Sequence, residues 1–354
     1  MSHISADPEF QALRALSAAL GRNRFRTQAA GGNTSIKRDG VMWIKASGRQ
    51  LADALDEDTM VPVALDGLRE AALRNDPAAD GAAPFVIDSL NAANLRPSIE
   101  TSVHAINPHA VVAHIHCIET IALAVRENAG ELVADRLHGL EDVVWSLVPY
   151  RRPGLPLARA ILEAATPGAN VLILGNHGLV VSGDSVGEVE NLTVRVCGAL
   201  TAAPRRAPRA DIAAISDQAR NSEYRLPRDE GAHVLALDPA SLSLATGASL
   251  YPDHVIFLGP GVVAAPDVAT GASMRTAGGP DRPPMLLLLP GRGIVLHRST
   301  NLSADAMALC LADVVARIPG DAVLLRLSPA EEFELTNWDA EKYRQTLAAR
   351  NAVS

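Results

Sequence analysis

The chain has 354 residues, a formal charge of −8 at neutral pH and a hydrophobic content of 48%, yet only 3% of its residues are aromatic. That length suggests two domains, with cores built from Ala, Val, Leu and Ile. The acidic balance argues against a nucleic-acid partner, and no apolar run approaches the ~20 residues that span a membrane. Three widely spaced cysteines, Cys117, Cys197 and Cys310, imply no disulfide framework. The opening MSHISADPEF lacks the basic-then-apolar pattern of a secretory signal, so a cytoplasmic globular protein is expected.

Residues 8–21 place apolar side chains at helical spacing and stop at Gly21. The stretch Gly31-Gly32-Asn33-Thr34-Ser35 reads as a turn rich in backbone N–H groups, able to cradle a phosphate or carboxylate, or simply as a hairpin turn. Val41–Ala46 is a predicted strand entering a second small-residue turn, Ser47-Gly48, and a hairpin would bring the two turns together. Arg49 could support an anion there or be solvated. Residues 74–85 read as a polar surface loop. From Pro97 a helix is expected, with Pro97 in its first turn, Ser98 as cap, and Glu100 and His104 on one face. Glu100 would then either compensate the helix dipole or work in a site. His109, after Pro108, is expected to be exposed.

The next segment, Val111-Val112-Ala113-His114-Ile115-His116, is a predicted buried strand. Side chains at i and i+2 leave the same face, so His114 and His116 point together. Two imidazoles on a rigid strand supply two-thirds of a three-histidine metal site. The third candidate is His177, where the apolar strand 171–174 breaks into Gly175-Asn176-His177-Gly178. Hydrogen-bonded structural histidines are the alternative. Cys117 is read as a small buried residue rather than a ligand. Residues 117–125, 157–165 and 186–200 read as helices and 145–150 as a strand running into a loop.

Two prolines among three arginines at 203–209 mark a linker or connecting loop and divide the chain into domains 1–205 and 206–354. In the second part, apolar runs 255–258 and 285–289 lead into glycine clusters at 259–261 and 290–293. Neither has dinucleotide or Walker spacing, so no nucleotide site is predicted. Helices near 303–318 and 338–349 complete the chain.

Gly32-Asn33-Thr34-Ser35, Ala46-Ser47-Gly48, Ser98-Ile99-Glu100, His114-Ile115-His116 and Gly175-Asn176-His177-Gly178 follow one another in an order that resembles the class II aldolase/adducin family, across roughly residues 8–200. The resemblance implies an α/β fold with a mainly antiparallel central sheet covered by helices on both sides, followed here by a smaller α/β C-terminal domain. It also implies one divalent metal held by His114, His116 and His177, zinc first, with manganese, cobalt or nickel as alternatives. A homo-oligomer, a tetramer in particular, goes with it. Pro252-Asp253-His254-Val255-Ile256, the Pro290-Gly291-Arg292-Gly293 turn and Trp338-Asp339-Ala340-Glu341-Lys342 are similar to the segment following the aldolase domain in bifunctional rhamnulose-phosphate aldolase/dehydrogenases. Without a dinucleotide fingerprint, dehydrogenase activity is not carried over.

On this resemblance the expected chemistry is cleavage or formation of a C–C bond in a small hydroxy-carbonyl sugar or sugar acid through an enediolate, with the metal as Lewis acid and Glu100 as general acid/base. Gly32, Asn33, Ser47, Gly48 and Ser98 would bind the substrate's anionic end. Family phosphate aldolases often carry a second serine where this chain has Ile99, which leaves a carboxylate or unphosphorylated sugar open. Epimerase, decarboxylase or dehydratase chemistry at the same metal, or an adducin-like scaffold without catalysis, are the alternatives.

Overall fold

The computed structural model describes residues 3–275 and 283–338. They form two compact units. One comprises the chain up to Thr120 together with Gly130–Leu200, and the other comprises Ile121–Ala129 with the chain from Thr201 onward.

The helices of the chain's first two hundred residues are α1 (Pro8–Arg22), α2 (Leu65–Leu73), α3 (Thr101–Ile106), α4 (Ile118–Ala124), α5 (Ala129–Leu137), α6 (Leu155–Ala164) and α7 (Val186–Leu200). Its strands are β1 (Asn33–Arg38), β2 (Val41–Lys45), β3 (Met60–Ala64), β4 (Val111–Ile115), β5 (Trp145–Val148), β6 (Val171–Leu174) and β7 (Gly178–Gly183). They make a seven-stranded sheet in the order β3-β2-β1-β4-β7-β6-β5. Every neighbouring pair is antiparallel except β5 and β6. The mainly antiparallel sheet expected from the sequence is therefore present.

Both faces of the sheet are covered, and apart from β1 (Asn33–Arg38) its strands carry mostly apolar side chains. On one face Val112 of β4, Leu172 and Leu174 of β6 and Val180 of β7 pack with Val103 of α3 and Leu157, Ala158 and Ile161 of α6. Met42 and Ile44 of β2 join Leu68 and Ala72 of α2 in a second cluster. The opposite face takes α1, tied to β1 by a 2.6 Å bond between Ser17 Oγ and Thr34 Oγ1. Burying an isoleucine or leucine in such a layer is worth about 1.5–3 kcal/mol.

The start of α3 departs from the sequence reading. Residues 96–98 run extended beside the end of β2: Ala46 bridges Pro97, and Ser98 N–H donates to the Lys45 carbonyl at 3.1 Å. This edge pairing holds off the helix until Thr101. Ser98 is thus not its cap; its Oγ accepts from the Glu100 N–H at 3.3 Å, and Glu100 occupies the N-cap position without capping through its side chain. The Asn33–Ser35 stretch also differs, being strand rather than turn.

The second unit contains α8 (Ile212–Ala219), β8 (Tyr224–Arg225), α9 (Val234–Leu237), α10 (Pro239–Ala245), α11 (Pro252–Leu258), β9 (Val263–Ala264), α12 (Val268–Ser273), β10 (Leu286–Leu289), β11 (Gly293–His297), α13 (Leu302–Val315) and α14 (Pro329–Asn337). Its four-stranded sheet has the order β8-β11-β10-β9, with Leu287, Leu289 and Val295 packed against Ile215, Tyr224 and Val268. The apolar run 255–258 is the end of a helix that opens on Pro252 at its first position. Residues 203–209 have no regular structure, but Arg205 is half-buried and its guanidinium is held in place. Its guanidinium reaches Asp238 Oδ2 at 2.8 Å, Ser241 Oγ at 2.8 Å, and the carbonyls of Val315 and Ile318. The helix expected over 338–349 lies, beyond Trp338, outside the described residues. Among the described residues no helix is long and apolar enough to cross a membrane.

Candidate metal centre

Four buried side chains converge at the end of β4. Glu100, His114, His116 and His177 each offer one ligand atom, and these atoms all lie within 4.8 Å of one another. The three imidazole centroids are 4.9–5.2 Å apart. Each residue arrives from a different local structure. His114 stands on β4, paired with Asn33 of β1 on one side and Val180 of β7 on the other. His116 follows the last residue of that strand, and its carbonyl accepts from Gln28 Nε2 at 3.3 Å. His177 closes the turn between β6 and β7, its N–H donating to the Leu174 carbonyl at 3.1 Å, while Asn176 takes the left-handed conformation at φ 52° that asparagine tolerates.

Two glycines make room for this arrangement. At Gly178 a Cβ would lie 2.5 Å from the Ile115 carbonyl and 3.4 Å from the His114 ring. At Gly32, with φ +69°, it would lie 2.9 Å from the His114 carbonyl. Side chains there would push β7 or the 30–33 segment away from His114.

The hydrogen bonds decide what the ring nitrogens can do. His114 Nδ1 lies 3.1 Å from the Leu179 carbonyl. A carbonyl can only accept, so Nδ1 carries the proton, and a neutral His114 presents a bare Nε2 to the cluster. That Nε2 is 3.2 Å from His116 Nε2 and 3.3 Å from Glu100 Oε2. Glu100 Oε1 lies 3.6 Å from His177 Nε2 and has no hydrogen-bond partner among the described residues. Lone pairs and a carboxylate facing one another out of water are costly unless a proton or cation sits among them. The donor set of imidazole nitrogens and one carboxylate oxygen suits a divalent transition metal. Burial pushes the Glu100 carboxyl up, but positive charge among the surrounding rings, His114 foremost, and the Asn33 amide outweigh it and hold it at about 2. With a proton or cation among the rings Glu100 is therefore a carboxylate at neutral pH.

Asn33 sits differently from its sequence reading as part of an open turn: its side-chain amide donates to Glu100 Oε2 at 2.8 Å. Of the other residues read from the sequence as anion-binding, Gly32 and Ser98 bond directly to Lys45. Its ammonium donates to the carbonyls of Ala30 at 2.8 Å and Gly32 at 2.9 Å. Ser47 N–H donates to the Arg96 carbonyl at 2.9 Å, next to the Ala46–Pro97 bridge and the Ser98–Lys45 bond. Gly32, Gly48 and Ser98 are buried and Ser47 half-buried. Arg49 pairs with Glu57.

Sequence reasoning missed Lys45, the Asn33–Glu100 bond and the Leu179 carbonyl. Lys45 had a visible signal, a charged residue ending an otherwise apolar strand; the Asn33–Glu100 bond and a backbone carbonyl have none. His109, expected to be exposed, is half-buried with Nδ1 3.4 Å from Asp184, because its segment folds back beside the end of β7. Cys117 is buried, 3.4 Å from Cys197 Sγ and 3.2 Å from Glu119 Oε2, outside the four-residue cluster.

Residues 11–200 match the family described as the class II aldolase and adducin N-terminal domain. The chain belongs to this family. An uncharacterized oxidoreductase of Bacillus subtilis (strain 168), YuxG, is 33% identical over 181 residues, which are 47% of this chain and 25% of that protein. The chain thus spans about a quarter of the curated relative it matches. The N-terminal class II aldolase domain of a conserved Thermoplasma acidophilum protein is 22% identical, covering 55% of this chain and 92% of that one with a TM-score of 0.47. An L-fuculose-1-phosphate aldolase from Thermus thermophilus is 20% identical, covering 53% and 92% with a TM-score of 0.35.

Proposed function

We propose that this class II aldolase-family chain is a metal-dependent lyase that cleaves or forms a C–C bond in a small hydroxy-carbonyl compound, a sugar or sugar acid. The observation that carries the reading is the meeting of three buried imidazoles and one carboxylate, with His114 turned toward the others by the Leu179 carbonyl. His114, His116 and His177 would hold the ion, zinc before manganese, cobalt or nickel. When bound, a divalent metal supplies a Lewis acid for the substrate carbonyl.

The protein's own groups do the rest. Glu100, ionised and buried, accepts a proton from a substrate hydroxyl and returns it to carbon or oxygen in the reverse sense. The Asn33 amide fixes one carboxylate oxygen by its 2.8 Å bond, leaving Oε1 as the atom that takes the proton. The Gly32-Asn33, Ser47-Gly48 and Ser98 segments would receive the far anionic end of the substrate. A homotetramer is the expected assembly for this reading.

The test is elemental analysis of protein purified without an affinity metal column, followed by screening of hydroxy-aldehyde and keto-acid pairs. About one divalent transition metal per chain supports the reading. Protein that contains none and takes up none when zinc is added would support a non-catalytic scaffold instead.

A further inference from the structure

One face of β1 is bonded to the Glu100 segment in three steps. Asn33, Ser35 and Lys37, at i, i+2 and i+4, leave the same side of the sheet. Asn33 Nδ2 donates to Glu100 Oε2 at 2.8 Å, Ser35 Oγ lies 2.7 Å from His104 Nδ1, and Lys37 Nζ donates to the Asn107 carbonyl and, at 2.7 Å, to that of His109. Two strand residues advance about 6.7 Å and four helical residues about 6 Å, so the first two steps match in length. The long lysine side chain spans the third.

Only the middle step lies within the helix proper. Glu100 is at the N-cap of a six-residue helix, a length that is not stable by itself and leaves the N-cap residue's direction open. The His104 ring is fully buried, and its Nε2 has no hydrogen-bond partner among the described residues. An apolar side chain of that volume would fill the space without this penalty, so the contribution of His104 lies in its bond to Ser35. Burial holds the ring well below the usual histidine range, at about 3, with His114 and Lys37 adding to this and Glu100 opposing. It is neutral and does not compete with the cluster for charge.

We infer that His104 is a positioning residue. Through Ser35 it fixes the register of the short helix against β1 and so aims the Glu100 carboxylate at the three histidines. This deepens the lyase reading and rests on it for its meaning, though its geometric part can be measured independently.

The test compares His104→Phe with His104→Asn, whose side-chain amide reaches the place of Nδ1. Crystal structures report the Asn33–Glu100 contact, and titration with Co²⁺ alone reports affinity and the cobalt absorption spectrum. The expectation is that His104→Phe lengthens the contact beyond hydrogen-bond range and weakens Co²⁺ binding about 10-fold, the low end of outer-shell effects, while His104→Asn restores both. If His104→Phe does not fold, Ser35→Ala cuts the same bond from the strand side and should show the same two changes. An unchanged contact and unchanged Co²⁺ affinity in His104→Phe, or no rescue by His104→Asn, overturns the inference. Wild-type protein that binds no Co²⁺ overturns the metal reading instead; the crystallographic comparison then decides on His104 alone.

Discussion

His114→Ala is the perturbation with the most direct consequence. It removes the imidazole whose Nε2 lies 3.2 Å from His116 and 3.3 Å from Glu100, and frees the Leu179 carbonyl that orients it. A ligand binding only the folded state at 100 times its Kd stabilises by about 2.7 kcal/mol. For a unit of this size, that raises the melting temperature by about 5–11 °C. Loss of a hydrogen-bonded outer partner alone weakens a metal site 10–100-fold, and a first ligand should cost at least the upper end. At the same zinc concentration the mutant would then sit near its own Kd, where the stabilisation falls to about 0.4 kcal/mol. The assay is thermal unfolding by circular dichroism with and without zinc, paired with calorimetric titration. A mutant that keeps the full zinc-dependent shift would refute the assignment of His114 as a ligand, because among the described residues no cluster apart from these four could hold the ion in its place.

Glu100→Gln should retain metal, since the three imidazoles remain, yet lose turnover by about 10²-fold or more; undiminished turnover removes Glu100 from the proton transfer. His254 is fully buried with neither ring nitrogen hydrogen-bonded among the described residues, and its pKa is lowered from 6.5 to about 3 by burial, then by Arg326. Between those values only the unfolded chain binds its proton, so stability is complete above pH 6.5 and falls on acidification at up to about 1.4 kcal/mol per pH unit. Urea unfolding at a series of pH values should show a shallower acid slope for His254→Phe, and an identical slope would exclude the residue. Arg205→Ala breaks the bonds to Asp238, Ser241 and two carbonyls and should cost the second unit about 2–3 kcal/mol; a change under about 0.5 kcal/mol in denaturant unfolding would return 203–209 to the status of a solvated linker.

The sequence by itself determined the strand that carries His114 and runs directly into His116, because a period of two along an extended chain places both rings on one side. It determined the hairpin bearing His177 as well, since Gly175 and Asn176 suit a tight turn between apolar runs. Local signals stop there. The start of α3 was misplaced because Pro97 and Ser98 are good helix-opening residues by themselves, and only their pairing beside β2 keeps them extended. The run 255–258 reads equally as strand or helix until the buried surroundings of Pro252–Leu258 are known. Asn33 and Ser35 looked like turn residues, yet strand pairing turns one toward Glu100 and the other toward His104. Only the tertiary structure could bring a helix N-terminus, a strand end and a hairpin turn to one point, for their separations in the chain are closed by sheet pairing. It alone could also supply the Leu179 carbonyl that selects the His114 tautomer, because every residue carries a carbonyl and nothing in the sequence says which one a side chain will meet.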